Sequence, residues 1–210
     1  MLTLTAIAAA LATPQAAGEL STAAAGEPRR ARGFALVELY TSEGCSSCPP
    51  ADVLLSDLVR EAREDDTAIY ALAFHVPWWD NGAWRDRYSD ASYGERQRRY
   101  GDALGLETIY TPQVVVNGRA QYVGSDAIKV RSAVVRGLAT PAVGHLLVSA
   151  TSTEDAVTVT LEAAGALDGV TACVALVEDG LSSRVRGGDC LLYTSPSPRD
   201  ATLSRMPSSA

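Results

Sequence analysis

The stretch Thr41-Ser-Glu-Gly-Cys-Ser-Ser-Cys-Pro-Pro50 decides how this chain is read. It places Cys45 and Cys48 in a C-x-x-C between two different kinds of sequence. Before it, Phe34 to Tyr40 is a short apolar run of β-formers and reads as a buried strand. After it, Pro49 and Pro50 sit where a first helical turn tolerates proline. Val53, Leu54, Leu58 and Ala62 then give an apolar stripe at helical spacing over Ala51 to Glu64. Thr67 to His75 is a second continuous apolar run. Two buried strands joined through a helix make a βαβ unit with parallel strands. A C-x-x-C alone is a moderate signal; at the strand-to-helix junction of such a unit it is a strong one.

The chemistry follows from that position. Active sites collect at the C-terminal edge of parallel strands, and Cys45 lands there after Tyr40. The start of a helix lowers a thiol pKa through free N–H groups and the helix dipole, so Cys45 is the candidate attacking thiolate. Cys48 is placed to attack a mixed disulfide formed at Cys45 and is the candidate resolving thiol. The pair also admits two other readings, a structural disulfide and a soft-metal clip (copper or similar). The metal reading takes His75 as third ligand, because it ends the second strand at the same edge.

Further along, Pro77 to Ser89 is a loop containing Trp78, Trp79 and Trp84, which either cap the sheet edge or form an aromatic wall beside the dithiol. Ala91 to Leu104 reads as a polar helix with Arg96, Arg98 and Arg99 on its solvated face. Thr111-Pro112 opens a strand, and Asn117-Gly118 is a strong hairpin signal leading into residues 120–123. Residues 126–138 read as a helix. Beyond Pro141, residues 145–150, 156–163 and 170–177 alternate in β fashion, with Cys173 as a buried apolar thiol.

Separated motifs carry a family resemblance: Val37-Glu-Leu-Tyr-Thr-Ser-Glu-Gly-Cys-Ser-Ser-Cys-Pro-Pro-Ala-Asp52, Ala73-Phe-His-Val-Pro-Trp-Trp-Asp80, Tyr110-Thr-Pro-Gln-Val-Val-Val-Asn-Gly-Arg119 and Val123-Gly-Ser-Asp126. The chain resembles the thioredoxin-like superfamily and, within it, a secreted bacterial family known as domain of unknown function 1223. The resemblance implies an α/β fold, a thioredoxin-like βαβ-ββα core with a helical insert, followed by a small all-β extension. It implies a cis Pro112 that faces the dithiol and positions a substrate chain, and Thr111 beside it and Trp78 and Trp79 of the aromatic wall are the further candidates for that role. It also implies that Glu38 is the buried acid beneath the dithiol. Glu38 lies seven residues before Cys45, one more than the corresponding acid in thioredoxins.

Composition sets the outer bounds. With 210 residues, 47% hydrophobic and 20% charged, the chain can bury a core, and a net charge of −7 gives no support for nucleic-acid binding. No apolar run reaches the roughly 20 residues of a membrane span. Residues 1–32 form an Ala-rich leader whose first twelve residues look like the apolar part of an export signal, so a periplasmic or secreted protein is expected. Residues 33–140 form the expected main domain and 141–189 a β-rich segment that breaks off. Residues 190–210, dense in Ser and Pro, read as an artefactual or disordered tail. The expected activity is thiol–disulfide exchange with an unknown protein or small thiol, needing no cofactor beyond the dithiol itself.

Overall fold

The computed structural model describes residues 33–152, 156–165, 174–178, 183, 185 and 203–205. The expected leader, Cys173, Cys190 and most of the expected tail lie outside the described residues. Among the described residues the fold is mixed α/β, with three helices and a mixed sheet. Strand β1 (Ala35–Thr41) leads into helix α1 (Pro49–Glu64), and β2 (Ile69–His75) runs parallel to β1. A loop with a single 3-10 turn (Pro77–Trp79) leads to α2 (Ala91–Ala103). The hairpin β3 (Gln113–Val116) and β4 (Ala120–Val123) follows, turning at Asn117 and Gly118, both at positive φ. Helix α3 (Ala127–Ala139) closes this part.

β1 lies between β2 and an antiparallel β3, and β4 lies outside β3. On the other side β2 meets β8 (Leu203–Arg205) through Ala73, and β8 pairs with β7 (Leu176–Glu178). The strands β5 (Gly144–Ser152) and β6 (Val157–Gly165) form a separate antiparallel pair.

Strand parity sorts the core into two layers. Side chains alternate across a strand. Ala35, Val37 and Leu39 of β1, Ala71 and Ala73 of β2, and Val114 and Val116 of β3 pack with Leu54, Leu55 and Leu58 of α1 and Val130 and Val134 of α3. Tyr40, Phe74, Val76, Val115 and Tyr93 form the opposite layer, on the side of α2. Tyr40 stacks on Phe74 with centroids 5.4 Å apart. Which face a β1 residue occupies therefore depends only on whether its number is odd or even.

That parity decides two of the expectations above. Glu38 is even-numbered and fully buried, but on the α2 face rather than beneath the α1 face that carries the dithiol. Its Oε1 accepts from Arg96 Nε at 2.7 Å and its Oε2 from the Tyr100 hydroxyl at 2.5 Å. Arg96 is accordingly not on a solvated face. It turns inward to this carboxylate, with its guanidinium over the rings of Phe74 and Tyr100. Arg98 and Arg99 are exposed as expected.

Candidate functional site

Cys45 and Cys48 are joined in a disulfide, with Cα atoms 5.4 Å apart. The bridge sits at the β1–α1 junction, and neither cysteine has accessible surface. Local backbone bonds tighten the loop: Cys45 N donates to Ser42 O, and Cys48 N to Cys45 O. Cys48, not Cys45, is the N-cap of α1. Both of the first helical residues are prolines, which have no N–H, and the amides of Ala51 and Asp52 donate to Cys48 O. The helix thus aims few free N–H groups at Cys45, contrary to expectation. Hydroxyl groups serve that sulfur instead. Thr111 Oγ1 donates to Cys45 Sγ at 3.4 Å, and Ser47 Oγ lies 3.5 Å from it.

Thr111 belongs to the segment before β3, and the Thr111–Pro112 bond is cis. The Trp79 indole N–H donates to Thr111 Oγ1 at 2.8 Å, so Trp79, Thr111 and Cys45 form one chain of contacts. Pro112 is buried beside Gly124, where an added Cβ would lie 2.9 Å from Ala51 Cβ and 3.1 Å from Pro112 Cβ. This glycine lets the first turn of α1 and the proline meet. Gly124→Ala is expected to cost about 1–3 kcal/mol through overpacking, read as a lower midpoint in urea.

The three tryptophans separate. Trp79 reaches Thr111, and Trp84 donates from Nε1 to Glu43 Oε2 at 3.0 Å, so both flank the dithiol loop. Trp78 is 40% exposed and lies against Gly94 of α2, away from that chain of contacts.

An acid–base cluster that the sequence reading did not single out occupies the α1 face at the ends of β1 and β2. Thr41 and His75 are register partners. The Thr41 hydroxyl donates to Asp52 Oδ1 at 2.8 Å. His75 Nδ1 lies 2.6 Å from Asp86 Oδ2, which also accepts from Glu43 N at 2.8 Å. Asp86 Oδ1 accepts from Tyr88 N. An acid so surrounded by donors is an acceptor, so Nδ1 of His75 carries the proton. Glu43 is buried as well, and its carboxylate is bonded by Trp84 and Ser183.

The electrostatics match this wiring. Burial pushes the Asp52 carboxyl up to about 7, against opposing pulls from His75 and the Thr41 hydroxyl. Burial likewise raises Glu43. For His75, burial alone would favour the neutral ring, but the bond to Asp86 and the nearby acids raise its pKa above the usual value. For Asp86, burial is outweighed by His75 and two backbone amides, and its pKa is lowered. Each of His75 and Asp86 thus favours the charged form of the other, while burial holds the Asp52 carboxyl up at about 7.

Among the described residues no three His, Cys, Asp or Glu side chains are grouped to hold a metal ion. The Cys45, Cys48 and His75 set is not brought together in that way: the sulfurs are bonded to each other and the His75 ring is committed to Asp86. No helix among the described residues is long and apolar enough to cross a membrane.

Fold and site together define a mixed α/β protein with a disulfide at its first strand-to-helix junction. The chain belongs to the family described as "Protein of unknown function (DUF1223)", whose model matches residues 36–190. Among solved structures, a protein of Agrobacterium tumefaciens is 32% identical, with 60% of this chain and 54% of that chain covered and a TM-score of 0.47. HBP35 of Porphyromonas gingivalis is 15% identical, with 76% of this chain and 52% of that chain covered and a TM-score of 0.51, a likeness of fold. The chain spans about half the length of these two solved proteins. No curated protein matches.

Proposed function

We propose that this protein is a thioredoxin-like thiol–disulfide oxidoreductase, exported to an oxidising compartment and acting on a protein or small-molecule thiol or disulfide. Cys45 is the attacking thiolate, Cys48 the resolving thiol, and Thr111 and Pro112 position the partner. The observation that carries this reading is the approach of the Thr111 hydroxyl to Cys45 Sγ, directly before the cis proline. A hydroxyl aimed at sulfur favours the thiolate once the disulfide opens. The sheet order, with β1 between β2 and β3, supports a thioredoxin-like core. Export is supported by the apolar run at residues 1–12 and by the compartments in which disulfides persist.

One observation favours a second reading. Neither cysteine is accessible, as in a disulfide that only fastens the loop. The reduction potential separates the two. An exchanging dithiol equilibrates with glutathione buffers, with a potential well above about −300 mV, and loses exchange in Cys45→Ser. A bond that stays oxidised in every such buffer, with a potential below that value, overturns the exchange reading.

A further inference from the structure

The exchange reading needs a group that removes the proton of Cys48, and the acid expected for it, Glu38, lies across the sheet. We propose that Asp52 is that group: it takes and returns the proton of Cys48, held in place by the Thr41 hydroxyl at the end of β1. The inference rests on the exchange reading for its role in turnover, but the coupling of Asp52 to Cys48 stands on geometry alone.

Cys48 has right-handed helical dihedrals (φ −78°, ψ −35°), and Asp52 N donates to Cys48 O at 3.2 Å. The two residues are therefore one turn apart on one helix face, where Cβ atoms are about 5–6 Å apart. The same face of α1 looks down on the ends of β1 and β2, because Thr41 Oγ1 reaches Asp52 Oδ1. Asp52 thus stands between a buried sulfur and a histidine whose side chain is 15% exposed. The charged and titratable groups facing it are His75 from β2, Asp86 from the loop after β2, and Glu43 from the loop after β1, which also acts on His75.

A partner disulfide is reduced in two successive displacements. The Cys45 thiolate attacks one partner sulfur, and the other partner sulfur leaves as a thiolate. Cys48 then gives its proton to the Asp52 carboxylate, and its thiolate attacks Cys45 Sγ. The Cys45–Cys48 bond re-forms, and the second partner thiolate leaves and recovers the proton from Asp52. Two electrons pass from the dithiol to the partner disulfide. The reverse sequence oxidises a partner dithiol.

The test compares the wild type with Asp52→Asn and Thr41→Val, using oxidised glutathione as the partner disulfide and thiolate absorbance of the reduced protein as an independent readout. The wild-type rate profile is expected to show an inflection near pH 7. Asp52→Asn should lose that inflection and slow resolution of the mixed disulfide about a hundredfold, the low end for general acid–base catalysis. Thr41→Val removes a bond that favours the charged carboxylate, so its inflection should move to higher pH. In the reduced protein, Asp52→Asn removes a negative charge beside Cys48 and should make that thiol about tenfold more acidic. If the wild type fails to exchange while this titration moves, the functional reading falls and the coupling stands. If Asp52→Asn leaves both the rate profile and the Cys48 titration unchanged, the inference is overturned.

Discussion

Asp52→Asn should make the folded protein more stable at pH 8 and leave it nearly unchanged near pH 4. The folded carboxyl titrates at about 7, against the ordinary value of 3.8. Below pH 3.8 the acid is neutral in both states and no penalty exists. Between the two values the unfolded chain releases this proton and the folded one keeps it, so stability falls as pH rises. Above the folded value the loss levels off at about 4 kcal/mol. Asp52 retains a minor share of accessible surface, which makes that figure an upper bound, and about 2 kcal/mol is the reasonable lower end. Asparagine keeps the oxygen that accepts from Thr41 and cannot ionise. Thermal midpoints at the two pH values check this, since about 2 kcal/mol shifts a chain of this size by roughly 4–8 °C. A variant destabilised equally at both pH values would show that the carboxyl is structural and not strained by burial.

The second large effect lies on the opposite face. Arg96→Met is expected to cost about 3–5 kcal/mol, because it leaves the fully buried Glu38 carboxylate without its cation. Tyr100 would remain as a donor to Oε2, but one neutral hydroxyl does not replace a guanidinium bonding Oε1 from two nitrogens. Replacing both members, Glu38→Leu with Arg96→Met, should recover much of the loss, since a buried ion pair exchanged for apolar volume is often neutral. Urea midpoints of the single and double variants measure the coupling. A single variant within about 0.5 kcal/mol of wild type would mean that the buried carboxylate does not depend on the guanidinium.

Much of this was legible in the sequence, and the parts that were not have identifiable causes. The elements around the dithiol fall where apolar periodicity and Pro, Asn and Gly place them, because those signals are local. The misplacement of Glu38 was legible too. Its spacing of seven to Cys45, where thioredoxins have six, is a one-residue change, and in a strand that reverses the face. Arg96 followed from the same slip, since a polar helix residue shows its partner only once the facing strand residue is known. Asp52 had no local signature. A carboxylate in the first turn of a helix is ordinary, and its burial over Thr41 and beside His75 exists only when three elements are packed. His75 could be placed at the edge from strand length alone, but its commitment to Asp86 depends on a loop whose path the sequence does not encode in any short pattern.

The complete enclosure of both sulfurs carries a kinetic meaning. A reagent in solvent cannot line up with the S–S axis of a bridge that presents no surface, so every encounter that leads to attack starts from a transiently open form. When closing outpaces attack, the observed second-order constant is the intrinsic one multiplied by the open fraction. When attack outpaces closing, the rate saturates and reports the opening step itself. For the exchange proposed above, selectivity would reside less in how well a partner binds the closed surface than in whether it can hold the loop open.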